Sequence, residues 1–213
     1  MSIKTWFYEQ LHQPYMKTLL ERIDQDDKVY RVFPPQHLRY QAIDNTPFDQ
    51  LKVVIIGQDP YHQEGQANGL AFSCLKTPLP PSLKNIFKAI EYNGYSVDHV
   101  NGDLSRYARQ GVFLWNTYLS VIESKPLSHQ DEAYITLTKN IIQKLSQDYQ
   151  HLVFLLWGSF AQQFEHDIQG DHLVIKTSHP SPLSSYRGFL TSNQFKQTNT
   201  YLEKHHQASI DWR

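Results

Sequence analysis

Cysteine is almost missing from this sequence, since Cys74 is the only one among 213 residues. A single thiol excludes an intramolecular disulfide, and it excludes zinc and iron–sulfur sites that need several cysteine ligands. The histidines are numerous but scattered, without HExxH or a similar spacing of metal ligands, so we predict no metal site and no cofactor. Free cysteine is usually a small buried residue, and we predict that role for Cys74.

The sequence also lacks an excess of charge of either sign and any long apolar run. Its formal net charge is -1, so any affinity for an anionic polymer has to come from a local patch. No apolar segment approaches the roughly 18 residues of a membrane span, and the amino terminus lacks the apolar core and cleavage site of a secretory signal. We therefore expect a soluble cytoplasmic protein that makes no membrane contact. The length favours one domain over residues 1–213.

Four short apolar segments predict buried β-strands at residues 53–56, 112–115, 152–157 and 173–176. Helices are predicted at residues 3–24 with a break at Pro14, and at 83–92, 103–109, 131–145 and 193–205. Strands that alternate with helices favour an α/β fold, here a single domain with a central four-stranded parallel sheet flanked by helices. The carboxyl ends of parallel strands meet at one edge of the sheet. The polar residues that follow the four strands should therefore lie together, namely Asp59, Asn116, Ser159 and His179.

Chemistry is expected in the stretch of residues 51–72. Its apolar strand runs into a polar, aromatic and glycine-rich segment, which is the position where open α/β sheets bind ligands. The proline after Asp59 restricts the backbone that carries this carboxylate, although Gln-Asp-Pro is also typical of an ordinary turn. Tyr61, His62 and Phe72 follow closely and add two flat walls and a titratable ring. This density of functional side chains favours a site over a simple turn.

Six short blocks stand in order along most of the chain. They are Gly57-Gln58-Asp59-Pro60-Tyr61-His62, Gly69-Leu70-Ala71-Phe72-Ser73, Pro80-Pro81-Ser82-Leu83, Asn116-Thr117, Leu156-Trp157-Gly158-Ser159 and His179-Pro180-Ser181-Pro182-Leu183-Ser184. Together with the closing Ile210-Asp211-Trp212, the sequence resembles the family 1 uracil-DNA glycosylases. Any one block is a weak signal, but six in the family's order are specific. The resemblance implies hydrolysis of the N-glycosidic bond of deoxyuridine in DNA, which releases uracil and initiates base excision repair.

The resemblance also implies individual roles. Asp59 would activate the attacking water and stabilise the cationic sugar, while His179, as a neutral imidazole, would donate a hydrogen bond to uracil O2. Asn116 would pair with uracil N3–H and O4, Phe72 would stack on the base, and Tyr61 would fill the space where thymine carries its methyl group. The substrate-binding residues implied in this way are Gln58, Tyr61, Phe72 and Asn116.

The target base must leave the stack before it can react, and the resemblance implies that Leu183 enters the space it vacates. Ser82 is also predicted as the N-cap of the helix at 83–92, and a helix amino terminus favours a phosphate. The implied DNA-binding residues are His62, Ser82, Ser159, Ser181, Leu183, Ser184, Tyr186 and Arg187. The implied partners are single- and double-stranded DNA containing uracil and a DNA-mimic inhibitor protein, with the chain acting as a monomer.

Several residues depart from the family pattern. Trp115 stands where leucine is usual, and because it adjoins Asn116 it could reshape the pocket. Leu190 and Thr191 replace Phe-Gly and could weaken contacts with DNA or an inhibitor. The other departures are Gln63, Cys74, Tyr118 and Ser120.

Two alternative functions remain open on the same fold. One is a DNA-binding accessory protein of replication in which excision is secondary or lost, and the intact Asp59, Asn116 and His179 argue against that loss. The other is a glycosylase for mismatched or more broadly deaminated bases. Tyr61 disfavours it, because this side chain would guard the C5 position of the base.

Overall fold

A computed structural model describes the whole chain, residues 1–213. Its helices and strands follow one another along the sequence. In chain order they are α1 Ile3–Leu11, α2 Pro14–Val29, β1 Val32–Phe33, α3 Gln41–Asn45, β2 Val53–Gly57, α4 Pro81–Tyr92, α5 Ser105–Ala108, β3 Val112–Asn116, β4 Val121–Ile122, α6 Glu132–Asp148, β5 Val153–Trp157, α7 Gly158–Gln162, β6 Leu173–Thr177 and α8 Gln194–Lys204. Short 3-10 turns lie between several of them.

The four predicted strands form one parallel sheet, as the sequence pattern predicts, and their order in it is β3-β2-β5-β6. All residues of β2, β3 and β5 are buried, which suits their continuous apolar runs. The chain passes from β2 to β3 on one side and then crosses to β5 on the other side of β2. The connections after β2 and β5 therefore diverge, and such a switch point opens a crevice at the carboxyl edge of the sheet.

The first predicted helix is divided at Pro14, as expected, and Pro14 becomes the first residue of α2. Helix α2 continues beyond the predicted end, to Val29, because its last turns are polar but contain no residue that breaks a helix. Helix α6 begins at Glu132, one residue after the predicted start, because Asp131 is its N-cap and its carboxylate accepts a hydrogen bond of 2.9 Å from Ala133 N.

The prediction that Ser82 caps α4 is wrong. The helix begins two residues earlier than predicted, at Pro81, and Pro80 occupies the N-cap position without a side-chain hydrogen bond. Proline is favoured at the first helical position because its missing N–H would have no partner there. Ser82 is therefore the second residue of the helix, and it lines the cavity described below.

Strands β1 and β4 were not predicted, because two residues are too few to show a periodic pattern in the sequence. Strands β1 and β4 pair antiparallel, with Val32 opposite Ile122 and Phe33 opposite Val121. This small ribbon lies apart from the main sheet and ties the chain after α2 to the segment that follows β3.

One hydrophobic core of 52 buried residues extends from Ile3 to Trp212. Cys74 is fully buried in it, as predicted. Trp115 is also a core residue, because its indole packs edge-on against Phe7 and donates a hydrogen bond of 3.0 Å to Thr138 Oγ1 on α6. The structure has no helix long and apolar enough to cross a membrane, and no group of three or more potential side-chain ligands that could hold a metal ion.

Candidate active site

The carboxyl ends of β2 and β3 meet at an unusually close contact. Gly57 and Asn116 are register partners at the last position of the two strands. A Cβ atom on Gly57 would overlap Asn116 Oδ1 and would lie 2.9 Å from the Cβ of Ala71. Only glycine leaves this space, and the Asn116 amide, 4% exposed, occupies it at the edge of the sheet.

A cavity of about 700 Å³ opens at this edge. It is lined by both apolar and polar groups, with aromatic and proline rings around a small set of hydrogen-bonding side chains, the composition typical of ligand sites. Its lining residues are Gln58, Asp59, Pro60, Tyr61, His62, Ala67, Leu70, Phe72, Ser73, Ser82, Asn116, Pro126, His179, Ser181 and Leu183.

Asp59 lies two residues beyond β2 and carries the only carboxylate that lines the cavity. Its Oδ2 accepts a hydrogen bond of 3.1 Å from the backbone N–H of Leu127. Burial raises the pKa of the Asp59 carboxyl, and this hydrogen bond and the His62 ring oppose the rise. The cavity thus holds a partly desolvated carboxyl group with a fixed backbone donor on one oxygen.

His179 follows β6 and is held by the backbone of its own loop. The N–H of Ser181 donates to His179 Nδ1 at 3.0 Å, and the Ser184 hydroxyl donates to the His179 carbonyl at 2.9 Å. Because Nδ1 accepts, the ring proton of the neutral form belongs on Nε2. Burial lowers the pKa of the imidazole, which favours this neutral form at pH 7. The ring therefore offers one N–H donor.

Gly158 allows the loop of His179 to approach β5. It has φ +82°, and a Cβ atom there would lie 2.8 Å from the Cβ of His179. The glycine thus meets two requirements, a left-handed backbone and a close contact. It is the reason why the strand end Leu156-Trp157 can be followed directly by the short helix α7 beside the cavity.

Phe72 forms an aromatic wall and has an unusual backbone. Its φ is +63°, which is rare for a bulky residue and indicates local strain of the kind found at functional sites. Its ring centroid lies 5.1 Å from that of Trp157 and 6.0 Å from that of His179. The preceding Ala71 N–H is anchored by a hydrogen bond of 3.0 Å to Leu114 O in β3. The ring is therefore presented from a fixed backbone.

Tyr61 forms the wall near the start of this loop. Its hydroxyl oxygen is buried and has no hydrogen-bond partner in the protein. Burial raises the pKa of the phenol, so the group is a neutral, flat filler of space at any physiological pH.

The structure brings most of the sequence-predicted residues together, and some lie outside. Ten line the cavity, namely Gln58, Asp59, Tyr61, His62, Phe72, Ser82, Asn116, His179, Ser181 and Leu183. Ser159 lies at the same sheet edge but is exposed on α7 and does not line the cavity. The Ser184 hydroxyl donates its hydrogen bond to the His179 carbonyl and not into the cavity. Tyr186 and Arg187 lie on the outer surface, with the guanidinium 5.3 Å above the tyrosine ring.

The structure also shows residues that sequence reasoning missed. Leu127 and Pro126 reach the site from the segment after β4, some 60 to 70 positions beyond Asp59 in the chain. No local pattern marks them, because Ser-Lys-Pro-Leu is typical of any loop. Trp115, in contrast, does not line the cavity, and its indole points into the core between β3 and α6.

The fold and the cavity together define a class of enzyme. A partly buried carboxylate, a neutral imidazole donor and an amide share a cavity with an aromatic face, at the switch point of a parallel α/β sheet. Such a site suits hydrolytic chemistry on a flat heterocycle that needs both stacking and hydrogen bonds.

Comparison with known proteins gives the family. The chain matches the family model of the uracil DNA glycosylase superfamily over residues 43–203, and it belongs to that superfamily. It is 46% identical to a uracil-DNA glycosylase of Borrelia turicatae, over 93% of this chain and 91% of the relative. It is 45% identical to a uracil-DNA glycosylase of Pseudomonas aeruginosa PAO1, over 99% of this chain and 93% of the relative.

Solved structures agree with this assignment. The crystal structure of mimivirus uracil-DNA glycosylase matches with a TM-score of 0.88 at 26% identity, over 97% of this chain and 84% of that one. A variant of the mimivirus enzyme in complex with UGI matches with a TM-score of 0.90 at 25% identity, over 100% of this chain and 88% of that one.

Proposed function

We propose that this chain is a uracil-DNA glycosylase that hydrolyses the N-glycosidic bond of deoxyuridine in DNA. The products are free uracil and an abasic site, which is the entry point of base excision repair. The observation that carries the proposal is the cavity shared by Asp59, Asn116, Phe72 and His179, in a chain that belongs to the uracil DNA glycosylase superfamily. A bacterial enzyme of this kind acts on the chromosome, so we infer a cytoplasmic location.

Asp59 is proposed as the catalytic carboxylate. Departure of the base leaves positive charge on the sugar, and a nearby carboxylate stabilises it. The same group takes a proton from the water that attacks C1′, so the new C–O bond replaces the C–N bond and uracil leaves with the bonding electrons. Partial burial of Asp59 supports the role, because electrostatic stabilisation is stronger where little water surrounds the charge.

His179 is proposed to stabilise the departing uracil anion. The Ser181 N–H on Nδ1 supports an Nε2–H tautomer, which can donate to uracil O2 as negative charge develops there. A neutral imidazole agrees with the lowered pKa of this partly buried ring. NMR of the ring nitrogens tests this assignment, and a charged His179 at pH 7.5 would contradict it.

Asn116 and the aromatic walls are proposed to select uracil. One amide offers a donor and an acceptor, which match O4 and N3–H of uracil and mismatch cytosine. Sites of this kind reject the wrong base by roughly 10⁴-fold or more, since a mismatch leaves buried polar groups unpaired. Phe72 would stack on the base, Tyr61 would exclude the thymine methyl group, and Gln58 would complete the wall beside the base.

Leu183 and its loop are proposed to hold flipped DNA. Leu183 is 84% exposed, a high value for an apolar side chain, and it lies at the rim of the cavity. An apolar group in this position can fill the gap that the extruded base leaves in the stack. The surrounding hydroxyls and Arg187 would contact phosphates, which fix register without reading sequence. The proposed phosphate ligands are Ser82, Ser159, Ser181 and Arg187, with His62 and Tyr186 beside them. Ser184 would support this loop through the hydrogen bond from its hydroxyl to the His179 carbonyl.

We propose two kinds of partner for this face. The first is DNA containing uracil, single- or double-stranded. The second is an inhibitor protein that mimics DNA, because a solved structure similar to this chain is a complex with UGI. A monomer suffices for both, since every residue given a role comes from one chain.

The proposed function is tested by the release of free uracil from a single-stranded oligonucleotide with one dU. The reaction contains EDTA, and oligonucleotides with dT or dC in place of dU serve as controls. We expect release from dU alone, and its loss in Asp59→Asn. An active Asp59→Asn variant would contradict the role of the carboxylate.

The same assay separates the enzyme from a DNA-binding accessory protein. A chain that binds the dU oligonucleotide but releases no uracil would refute the glycosylase and support the accessory role. Binding by Asp59→Asn at wild-type affinity, measured by fluorescence anisotropy, shows that the variant is folded and that its inactivity is chemical.

A further inference from the structure

We propose that Leu127 is a positioning residue for the reaction, because its backbone N–H holds the Asp59 carboxylate in place from a turn at residues 124–128. The inference rests on the proposed glycosylase function. It concerns a residue outside the motifs around Asp59, Asn116 and His179, and it acts through its backbone.

The contact joins two distant parts of the chain. Leu127 N lies 3.1 Å from Asp59 Oδ2, across 68 positions of sequence. The Leu127 side chain contributes little to the core, since the residue is 37% exposed. A hydrogen bond to an ionised acceptor is stronger than one between neutral groups, and it fixes the direction of the carboxylate plane. The useful part of this residue is therefore its amide, not its side chain.

The turn holds that amide in an uncommon conformation. Ser124 has φ +59° and Leu127 has φ +61°, both in the left-handed region. Leucine has no short polar side chain to stabilise this conformation, unlike asparagine, so the backbone is strained. Such strain persists only where surrounding contacts determine it, and it is concentrated at functional sites.

Several hydrogen bonds supply these contacts. Ser124 N donates to His62 O at 3.0 Å, and the Ser128 hydroxyl accepts from Ile122 N at 2.7 Å. The Gln63 amide bridges the His62 ring, at 3.0 Å, and the Ser124 hydroxyl, at 3.2 Å. The turn is thus tied both to β4 and to the loop that carries Asp59, so the donor and the acceptor cannot move independently.

Hydrogen bonds between the side chains of Asp26, His129 and Ser120 anchor the chain at His129, directly after the turn. His129 Nδ1 lies 2.7 Å from Ser120 Oγ, and His129 Nε2 lies 3.3 Å from Asp26 Oδ2 on α2. Ser120 and His129 are completely buried, and neither lines the cavity, so this arrangement anchors the backbone and has no access to a substrate.

The test depends on which residues tolerate a left-handed backbone. Leu127→Val introduces a β-branched residue, for which positive φ is a strong outlier, so the turn should relax and withdraw the amide. Leu127→Asn should hold the turn, because asparagine adopts this conformation readily. His151→Val is the matched control, since His151 also has φ +57° but lies between α6 and β5, outside the cavity.

We expect kcat for uracil release to fall about 10- to 100-fold in Leu127→Val, the range caused by small misplacement of a catalytic group. KM should stay within about twofold of wild type, because the substrate contacts remain. The acid limb of the kcat profile should move to higher pH, since the lost hydrogen bond keeps the pKa of Asp59 down. The other titratable groups near Asp59, which are His62, Tyr118 and His179, are unchanged.

Leu127→Asn is expected to retain kcat and the wild-type acid limb. His151→Val is expected to lower the melting temperature without changing kcat. If Leu127→Val does not fold, Gln63→Ala is the second variant, because it frees the turn from the Asp59 loop at an exposed position and should move the acid limb in the same direction.

The outcomes separate this inference from the proposed function. A wild-type chain that releases no uracil refutes both. An active wild-type enzyme whose Leu127→Val and Gln63→Ala variants keep the wild-type kcat and acid limb refutes only the role of Leu127. An equal loss of kcat in His151→Val would show a general effect of strain and would also refute it.

Discussion

At the scale of single residues, the proposed catalytic role of Asp59 has a cost in stability. Burial raises the pKa of its carboxyl in the folded chain above the ordinary value. The folded state therefore binds this proton more tightly than the unfolded state, and stability falls as pH rises from the ordinary carboxyl pKa through the raised one. At pH values above the raised pKa, the full desolvation cost of the ionised Asp59 carboxylate destabilises the fold. At pH values below the ordinary carboxyl pKa, Asp59 is protonated in both states and this cost is absent.

Asp59→Asn is therefore expected to be inactive but more stable than wild type at pH 7. The neutral amide avoids the desolvation cost and still offers an oxygen to the Leu127 N–H. For a chain of this length each kcal/mol corresponds to a rise in melting temperature of about 2–4 °C. Scanning calorimetry at pH 7 and at a pH below the ordinary carboxyl range measures the difference. A gain that is equal at both pH values would show that ionisation of Asp59 is not its cause.

Tyr61→Ala is expected to release thymine from DNA. The phenol fills space in the cavity without a hydrogen-bond partner, so its removal leaves room and breaks no polar contact. Rejection of one methyl group by a wall is worth about 10- to 200-fold, and release from a dT oligonucleotide should rise over wild type by that order. Release from dC should not rise, since Asn116 still mismatches cytosine. A variant that ignores dT would refute this assignment of Tyr61.

That Asp59, Tyr61 and Asn116 share one cavity could be predicted because each lies in a short contiguous motif that follows a predicted strand. The contact of Asp59 with Leu127 could not, since 68 positions separate the two residues and the donor is a backbone amide. The sequence also did not predict which way the Trp115 side chain points. Its neighbour Asn116 faces the cavity, but successive residues of a strand point to opposite faces, and the indole enters the core.

At the scale of elements, the four strands of the main sheet were predictable because each is an apolar run that stops at a polar residue. Strand ends are reliable here because β2, β3 and β5 are buried on both faces. The start of α4 was predicted two residues late because Ser82 has a higher N-cap preference than Pro80, which takes the position. The strands of the β1–β4 ribbon are too short to show the alternation of apolar and polar residues from which a strand is predicted.

The pair of β2 and β3 supports a prediction at this scale. Gly57→Ala would place a methyl group against Asn116 Oδ1 and the Cβ of Ala71, at the carboxyl ends of the two strands. Overpacking of this kind typically costs about 1–3 kcal/mol. Activity should fall further than stability suggests, by about 100-fold in kcat/KM, because Asn116 is displaced from the base. Urea unfolding and uracil release measure the two effects. A variant with intact activity would show that Asn116 is not held by this contact.

At the scale of the whole molecule, the net charge of -1 has to be reconciled with binding to DNA. A protein of this charge has no general attraction for a polyanion, so affinity depends on the few cations and hydroxyls at the mouth of the cavity. In the proposed complex Ser82, Ser181 and backbone amides would contact phosphate through uncharged donors, which release few counterions. The dependence of binding on salt should therefore be weak compared with that of a basic DNA-binding protein.

Arg187→Ala tests this account. Arg187 is exposed on the loop that follows Leu183, and its guanidinium lies over the Tyr186 ring, which directs the charge outward. In an Asp59→Asn background, the slope of log Kd against log salt for single-stranded dU DNA should decrease by about 0.7, the value of one phosphate contact. Lys17→Ala is the control, because Lys17 is exposed on α2 and pairs with Glu21. An unchanged slope in Arg187→Ala would place the phosphate contacts on uncharged groups alone.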